Sequence, residues 1–292
     1  MTDNGSRGVL IQACAEAGLT AEPAELIRAA ENDLWRLPGR IVARIARNGQ
    51  AEVALRETLI ARWLAQAAVP AVRLHGDVDQ PVNIGGRAVT FWRELPPHRQ
   101  GTPAEVASLL KSLHALPLPD FDLPPVRPFV RIHERITAAR SVTSAERHWL
   151  LQRLQVLKAA WADLPPGLPQ CVIHGDAWVG NVAVTDSGPE WLDFERTAVG
   201  PPEWDLTSTA VGVDLFDHVS RVQYEQFCAA YGTDVTTWAG YETLRNIREL
   251  RVTTYALQIA DYHPPAVNAA RYRLECLQGQ HGPRPWRWPT VP

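Results

Sequence analysis

The chain has almost no lysine. Only Lys111 and Lys158 carry an ammonium group, and nearly all of the 29 basic residues are arginine. Any reaction that needs a lysine is confined to those two positions. Cysteine is also scarce, and Cys14, Cys171, Cys228 and Cys276 are scattered without a C-x-x-C pair or a Cys/His cluster. That excludes a zinc framework or disulfide scaffold and leaves four thiols in a reducing compartment. No run approaches the ~20 apolar residues of a membrane helix. The start "MTDNGSRGVL" has no basic region followed by an apolar one, so a cytoplasmic location is expected. The formal net charge is -3, which suggests neither a nucleic-acid nor an anionic-membrane partner. There is no internal repeat and no low-complexity block.

What is present is an ordinary globular composition: 292 residues, 46% apolar and 21% charged. This suits one large domain or two lobes sharing a cleft. The charge is uneven. Residues 1–170 hold 20 basic and 17 acidic side chains, a balance of +3, and residues 171–292 hold 9 and 15, a balance of -6. An acidic C-terminal part would suit a cationic substrate, but a solvated surface is the plainer explanation.

Residues 39–50, "GRIVARIARNGQ", read as a strand ended by an Asn48-Gly49 turn, and 51–68 read as a helix with Val53, Ile60 and Leu64 on one stripe. Glu57 falls on that apolar stripe, where a charge needs a partner. Residues 87–97 read as a strand running into prolines. Thr102, Pro103 and Glu105 spell a capped helix start, and a second capped helix is expected from about Ser144 to Trp161. "CVIHGD" (171–176) reads as a short strand entering a loop. Residues 181–194 read as a hairpin turning at Asp186, Ser187 and Gly188. The chain after Asp205 reads as mostly helical, and the Pro-rich tail 281–292 as irregular. This order predicts an α+β fold in two lobes, residues 1–95 and 96–292, with the boundary near Leu95–Gly101.

Phosphoryl transfer from ATP needs a carboxylate for the attacking hydroxyl, oxygen ligands for Mg²⁺ and a cation for the phosphates. A kinase catalytic loop places Asn five residues after Asp, with a metal-binding Asp downstream. Asp176 and Asn181 reproduce the first interval, and Asp193 follows twelve residues later across the hairpin. A hairpin brings its ends together, so Asn181 and Asp193 are placed to share one metal. No folding requirement sets that spacing.

"HGDAWVGN", "WLDFE" and "GPPEWDL" together resemble the aminoglycoside phosphotransferase family, related to choline kinases and to the protein-kinase fold. The resemblance implies a small N-terminal sheet lobe with one helix and a larger, mainly helical C-terminal lobe. It also implies an ATP- and Mg²⁺-dependent transferase acting on a hydroxyl of a small molecule. Asp176 would be the catalytic base, Asn181 and Asp193 the Mg²⁺ ligands, His174 a loop-orienting residue and Asp205 an anchor of the catalytic loop. From the residues alone, His174 is equally a core histidine, Asp205 a helix cap, and Glu195 a partner in a loop ion pair. Upstream the resemblance is weaker. "GRIVARIAR" looks like the strand of the phosphate-binding lysine, but its position holds Arg44, with Glu57 as the expected partner or an exposed helix ion pair. Arginine is a permanent cation with a bidentate fork. The nucleotide-covering loop would lie in 29–39, with no glycine before Gly39 and Asn32 its polar candidate. "FWREL" (91–95) looks like the hinge whose main chain, at Trp92 and Glu94, would meet adenine.

The family's acceptors include aminoglycosides, other antibiotics, choline, sugars and homoserine. Antibiotic resistance is one role this implies, with an aminoglycoside or an antibiotic-like amino sugar as the expected acceptor. Asp214, Asp217, Glu249, Asp261 and Glu275 are candidates for meeting a cationic substrate, or are simply solvated. Trp178 is placed to stack on an acceptor. Two other readings stand beside this one: a weakly catalytic pseudokinase that senses a nucleotide or metabolite, and a metabolic sugar- or choline-type kinase. A monomer or a homodimer fits equally.

Overall fold

A computed structural model describes residues 3–29, 32–76 and 78–291, the side chains of Asp3 and Asn4 excepted. The chain forms two compact units, one of residues 1–101, 116–123 and 179–197, the other of 102–115, 124–178 and 198–292. The segment around Asn181 and Asp193 thus belongs with the N-terminal strands. Among the described residues no helix is long and apolar enough to cross a membrane.

The first unit is built on an antiparallel sheet of β1 (Glu25–Ala29), β2 (Asp33–Leu37), β3 (Ile41–Ile45), β5 (Arg87–Arg93) and β4 (Val82–Ile84), in that order. Side chains alternate across a strand. Ile41, Ala43 and Ile45 therefore face one way with Val89 and Phe91, and helix α1 (Asp3–Glu16) covers them with Leu10, Ala13 and Cys14. Trp35 Nε1 donates to Ser6 Oγ at 2.9 Å and ties α1 down. The sequence reading did not mark α1, β1 or β2. Val42, Arg44, Thr90 and Trp92 are left for the other face. Arg44 pairs with Thr90, and Val42 with Trp92. Helix α2 (Ala51–Gln66) follows β3. A smaller sheet joins β6 (Arg99–Gln100), β8 (Val182–Thr185) and β9 (Gly188–Trp191). Its hairpin turns at Asp186 and Ser187, because Gly188, at φ 112°, already pairs with Thr185.

The second unit is mainly helical, apart from the strand pair β7 (Cys171–Ile173) and β10 (Ala198–Gly200). Helices α3 (Pro103–His114), α4 (Ile132–Ala138) and α5 (Ser144–Ala162) precede β7, and α6 (Glu203–Val211), α7 (Arg221–Tyr231), α8 (Tyr241–Ala260) and α9 (Val267–Leu277) follow β10. The capping boxes close as their residues dictate: Glu105 N–H donates to Thr102 Oγ1 at 3.3 Å, and Glu146 N–H to Thr143 Oγ1 at 3.2 Å. Leu150, Leu154, Leu157, Ile173, Trp204 and Leu250 lie in one buried core. Among its described residues the tail has no regular structure but is docked: Trp286 and Trp288 stack with ring centroids 5.4 Å apart in a cluster with Leu215.

Candidate functional site

In the first unit the site starts from one half-buried cation. Arg44 Nη1 donates to Glu57 Oε1 at 2.5 Å, and Glu57 is only 4% exposed. With its side-chain amide oriented so that the oxygen meets the donors, Asn32 accepts from the same guanidinium, 3.1 Å from Nε and 2.8 Å from Nη2. Glu195 Oε2 lies 3.7 Å from Nη2. Burial on its own lowers the Arg44 pKa, but Glu57, then Asp193 and Glu195, raise it above the ordinary arginine value. The Glu57 carboxyl stands raised to about 7, because burial, with Asp193 and Glu195, outweighs the pull of Arg44 in the other direction. One cation therefore answers three carboxylates, and the excess negative charge suits a divalent ion.

The hairpin supplies the oxygen donors. Asn181 ends a 3₁₀ turn (Val179–Asn181), and its carbonyl accepts from Leu192 N–H at 2.9 Å. Val182 pairs with Trp191 in the next step. Asp193 thus leaves the hairpin beside Asn181. It sits at φ 56°, in the left-handed region that Asp tolerates better than most residues, and its Oδ1 accepts from Glu195 N–H at 3.3 Å. Among the described residues no group of three or more His, Cys, Asp or Glu is gathered to hold a metal by itself. One carboxylate and one amide oxygen fit a Mg²⁺ whose other ligands are phosphates and water.

In the second unit β7 delivers the loop 174–178. His174 N–H donates to Asp205 Oδ2 at 2.7 Å, and Gly175 N–H to Asp205 Oδ1 at 2.9 Å. Gly175 is at φ 81°, a conformation glycine adopts freely. Trp204 Nε1 donates to Gly175 O at 3.2 Å. Asp205 lies in the first turn of α6, whose N-cap Pro202 makes no side-chain bond, so its carboxylate serves the loop and not its own helix. Asp205 is 0% exposed. Burial on its own raises the carboxyl, but His114, His174 and Arg248 outweigh it and hold the pKa below the ordinary value. His174 is buried, and its Nδ1 accepts from Asp176 N–H at 3.4 Å. Asp176 is half-buried at the loop's tip. Trp178 is 49% exposed, whereas the other ten tryptophans are buried or half-buried.

The structure thus gathers Asn32, Arg44, Glu57, Asn181, Asp193 and Glu195 within the first unit, and His174, Asp176 and Asp205 within the second. Trp92 shares the sheet face of Arg44 and donates from Nε1 to Thr90 Oγ1 at 2.8 Å. Glu94 spends its N–H on Arg40 O at 2.8 Å, so its main chain offers a ligand the carbonyl. Of the expected nucleotide-covering loop, Ala30 and Glu31 lie outside the described residues; Asn32 immediately precedes β2, which takes up Asp33–Leu37.

The acidic candidates for a cationic substrate are largely engaged. Arg284 binds Glu249 through two bonds of 2.6 Å, Arg287 lies 3.2 Å from Asp217, and His281 lies 2.8 Å from Glu275. Asp261 accepts from Arg140 N–H at 3.0 Å. The tail supplies the first three partners. Sequence reasoning missed His114 and Tyr231. His114 Nε2 lies 3.3 Å from Asp205 Oδ2, and its Nδ1 lies 2.9 Å from Tyr231 Oη. Nothing in the sequence links residues 117 positions apart.

A family model described as a phosphotransferase enzyme family matches residues 24–246. No curated protein matches the chain in sequence. Solved structures do match in fold. A choline/ethanolamine kinase family protein from Mesorhizobium loti is 20% identical, with 95% of each chain covered and a TM-score of 0.64. An amicoumacin kinase in complex with AMP-PNP, Ca²⁺ and Ami is 14% identical over 95% of this chain and 96% of that one, at a TM-score of 0.70. A spectinomycin phosphotransferase with ADP and spectinomycin is 12% identical over 95% and 94%, at 0.64.

Proposed function

Because the chain belongs to the phosphotransferase enzyme family, we propose that it moves the γ-phosphoryl group of ATP, with Mg²⁺, onto a hydroxyl of a small molecule. The observation that carries this reading is the Asn181–Asp193 hairpin in the same unit as an arginine outnumbered by carboxylates. Asn181 and Asp193 hold the metal, which when bound neutralises charge on the transferring phosphate. Arg44 is the phosphate-binding cation, fixed in direction by Glu57 and Asn32. The main chain from Trp92 to Glu94 meets the adenine edge. Asp176 orients the acceptor hydroxyl and takes its proton as the oxygen attacks. His174 and Asp205 hold the Asp176 loop in place.

For the acceptor we propose an antibiotic-like amino sugar or related alcohol, with aminoglycosides the first class to test. The pairing of Glu249, Asp217 and Glu275 with the tail favours an acceptor of modest positive charge. Arg44 in the lysine position favours one second reading, a weakly catalytic nucleotide sensor.

Calorimetric titration of Mg²⁺ and ATP into wild type, Asp193→Ala and Asp176→Ala separates the roles. Asp193→Ala should bind the nucleotide roughly ten-fold or more weakly, and Asp176→Ala should bind it as wild type does. Unchanged affinity in Asp193→Ala would remove Asp193 as a ligand.

A further inference from the structure

Tyr231, the last residue of α7, and His114, the last of α3, form a partly buried polar network with Asp205 whose outer members have no part in the reaction as assigned above. The His114 side chain is 5% exposed and that of Asp205 0%. The imidazole lies between a phenol at 2.9 Å and a carboxylate at 3.3 Å, with its ring edge-on to the tyrosine at 75°.

A carboxylate only accepts hydrogen bonds, so Nε2 must carry the proton that faces Asp205. A neutral ring then has its lone pair on Nδ1, which needs a donor. Tyr231 is built to remain one. Burial raises its pKa, and Cys171, Glu203 and Asp205 raise it further, so the phenol keeps its proton.

We propose that Tyr231 is a positioning residue: its hydroxyl donates to His114 Nδ1 and holds the ring in the Nε2–H tautomer. His114 thereby gives Asp205 a third donor, beside the amides of His174 and Gly175. The carboxylate that fixes the Asp176 loop is in this way locked from α7, at a point far from it in sequence. The effect on turnover rests on the assignment of Asp176 as the base; the tautomer does not.

The test uses the full chain labelled with ¹⁵N-histidine. Long-range ¹⁵N–¹H correlation gives the tautomer of His114, identified by the signals missing in His114→Gln. The expected result is a protonated Nε2 and a bare Nδ1, with the Nδ1 signal moving downfield in Tyr231→Phe as its donor is lost. Mg²⁺-dependent ATP hydrolysis, with water as the acceptor, reads the consequence. Tyr231→Phe should lower kcat roughly 5-fold, the loss of about one hydrogen bond, and leave the nucleotide KM unchanged. Glutamine at 114 still offers N–H to Asp205 and has no tautomer to set. In the His114→Gln background Tyr231→Phe should therefore add no further loss. A proton on Nδ1, or on both nitrogens, in wild type overturns the proposal. Equal losses in the two backgrounds overturn it as well. Absence of turnover in every variant counts against the phosphotransferase assignments, and the tautomer then decides the present inference alone.

Discussion

Asp205→Ala removes the acceptor of two main-chain N–H groups, those of His174 and Gly175, and of the His114 imidazole. The site is fully buried, so water cannot replace it. A buried donor left without a partner costs about 1–3 kcal/mol. The two amides alone put the loss at about 2–6 kcal/mol, a large share of the 5–15 kcal/mol that holds a typical protein folded. Asp205→Asn keeps the shape but has one oxygen and one N–H₂. It satisfies one amide and turns a donor toward the other, so about 1–3 kcal/mol is lost. The pH dependence gives a second reading. The folded carboxyl titrates below its ordinary value, so between the folded and unfolded pKa the folded chain binds fewer protons. Its contribution is complete above the unfolded value of about 3.9 and drains away as the pH falls through the folded one. Urea unfolding followed by circular dichroism, repeated at several acid pH values, measures both. A midpoint in Asp205→Ala equal to that of wild type, or an unaltered acid limb in Asp205→Asn, would refute the reasoning.

Glu57 has the opposite sign. Its folded carboxyl is pushed from 4.5 up to about 7, so the folded chain holds the extra proton in that window and stability declines as pH rises through it. Glu57→Gln should flatten that decline, and a pH series of thermal melts that kept the slope would assign it elsewhere. Arg284→Ala strips the two 2.6 Å bonds from Glu249 and leaves that buried carboxylate with Arg245 at 3.8 Å. A loss of about 3 kcal/mol is expected, read as a lowered melting temperature with the tryptophan signal of the tail changing in the same transition. A melt identical to wild type would mean that the tail's other anchors, among them Trp286, Trp288 and the Arg273 bond to Pro289 O, hold it without this pair.

The parts of the fold written in local signals were readable in advance. Thr102/Glu105 opens its helix as written, and Asp176, Asn181 and Asp193 stand on a strand–loop–hairpin segment as their spacing required. Glu57 on an apolar stripe called for a partner, and it has one in the half-buried Arg44. Helix α1 was not legible, because Gly5 and Gly8 weaken its helical signal and each glycine costs about 1 kcal/mol against alanine. Its helicity comes from docking Leu10, Ala13 and Cys14 on the sheet. The partners of Asp205 were hidden for another reason: His114 and Tyr231 come from separate helices, and only tertiary packing joins them. The partners of the C-terminal acidic residues were hidden in a similar way, since a proline-rich tail that reads as irregular supplies Arg284 to Glu249, Arg287 to Asp217 and His281 to Glu275.

The most direct measurement is transfer of phosphate from [γ-³²P]ATP with Mg²⁺ to a panel of aminoglycosides, other hydroxylated antibiotics, amino sugars and choline, with Asp176→Ala as the blank. A labelled product from one acceptor class with wild type, and none with Asp176→Ala, is the result expected here. Equal labelling by the two proteins would contradict the role of Asp176, and wild type that neither labels an acceptor nor binds Mg²⁺·ATP would contradict the assignment of this site to phosphoryl transfer.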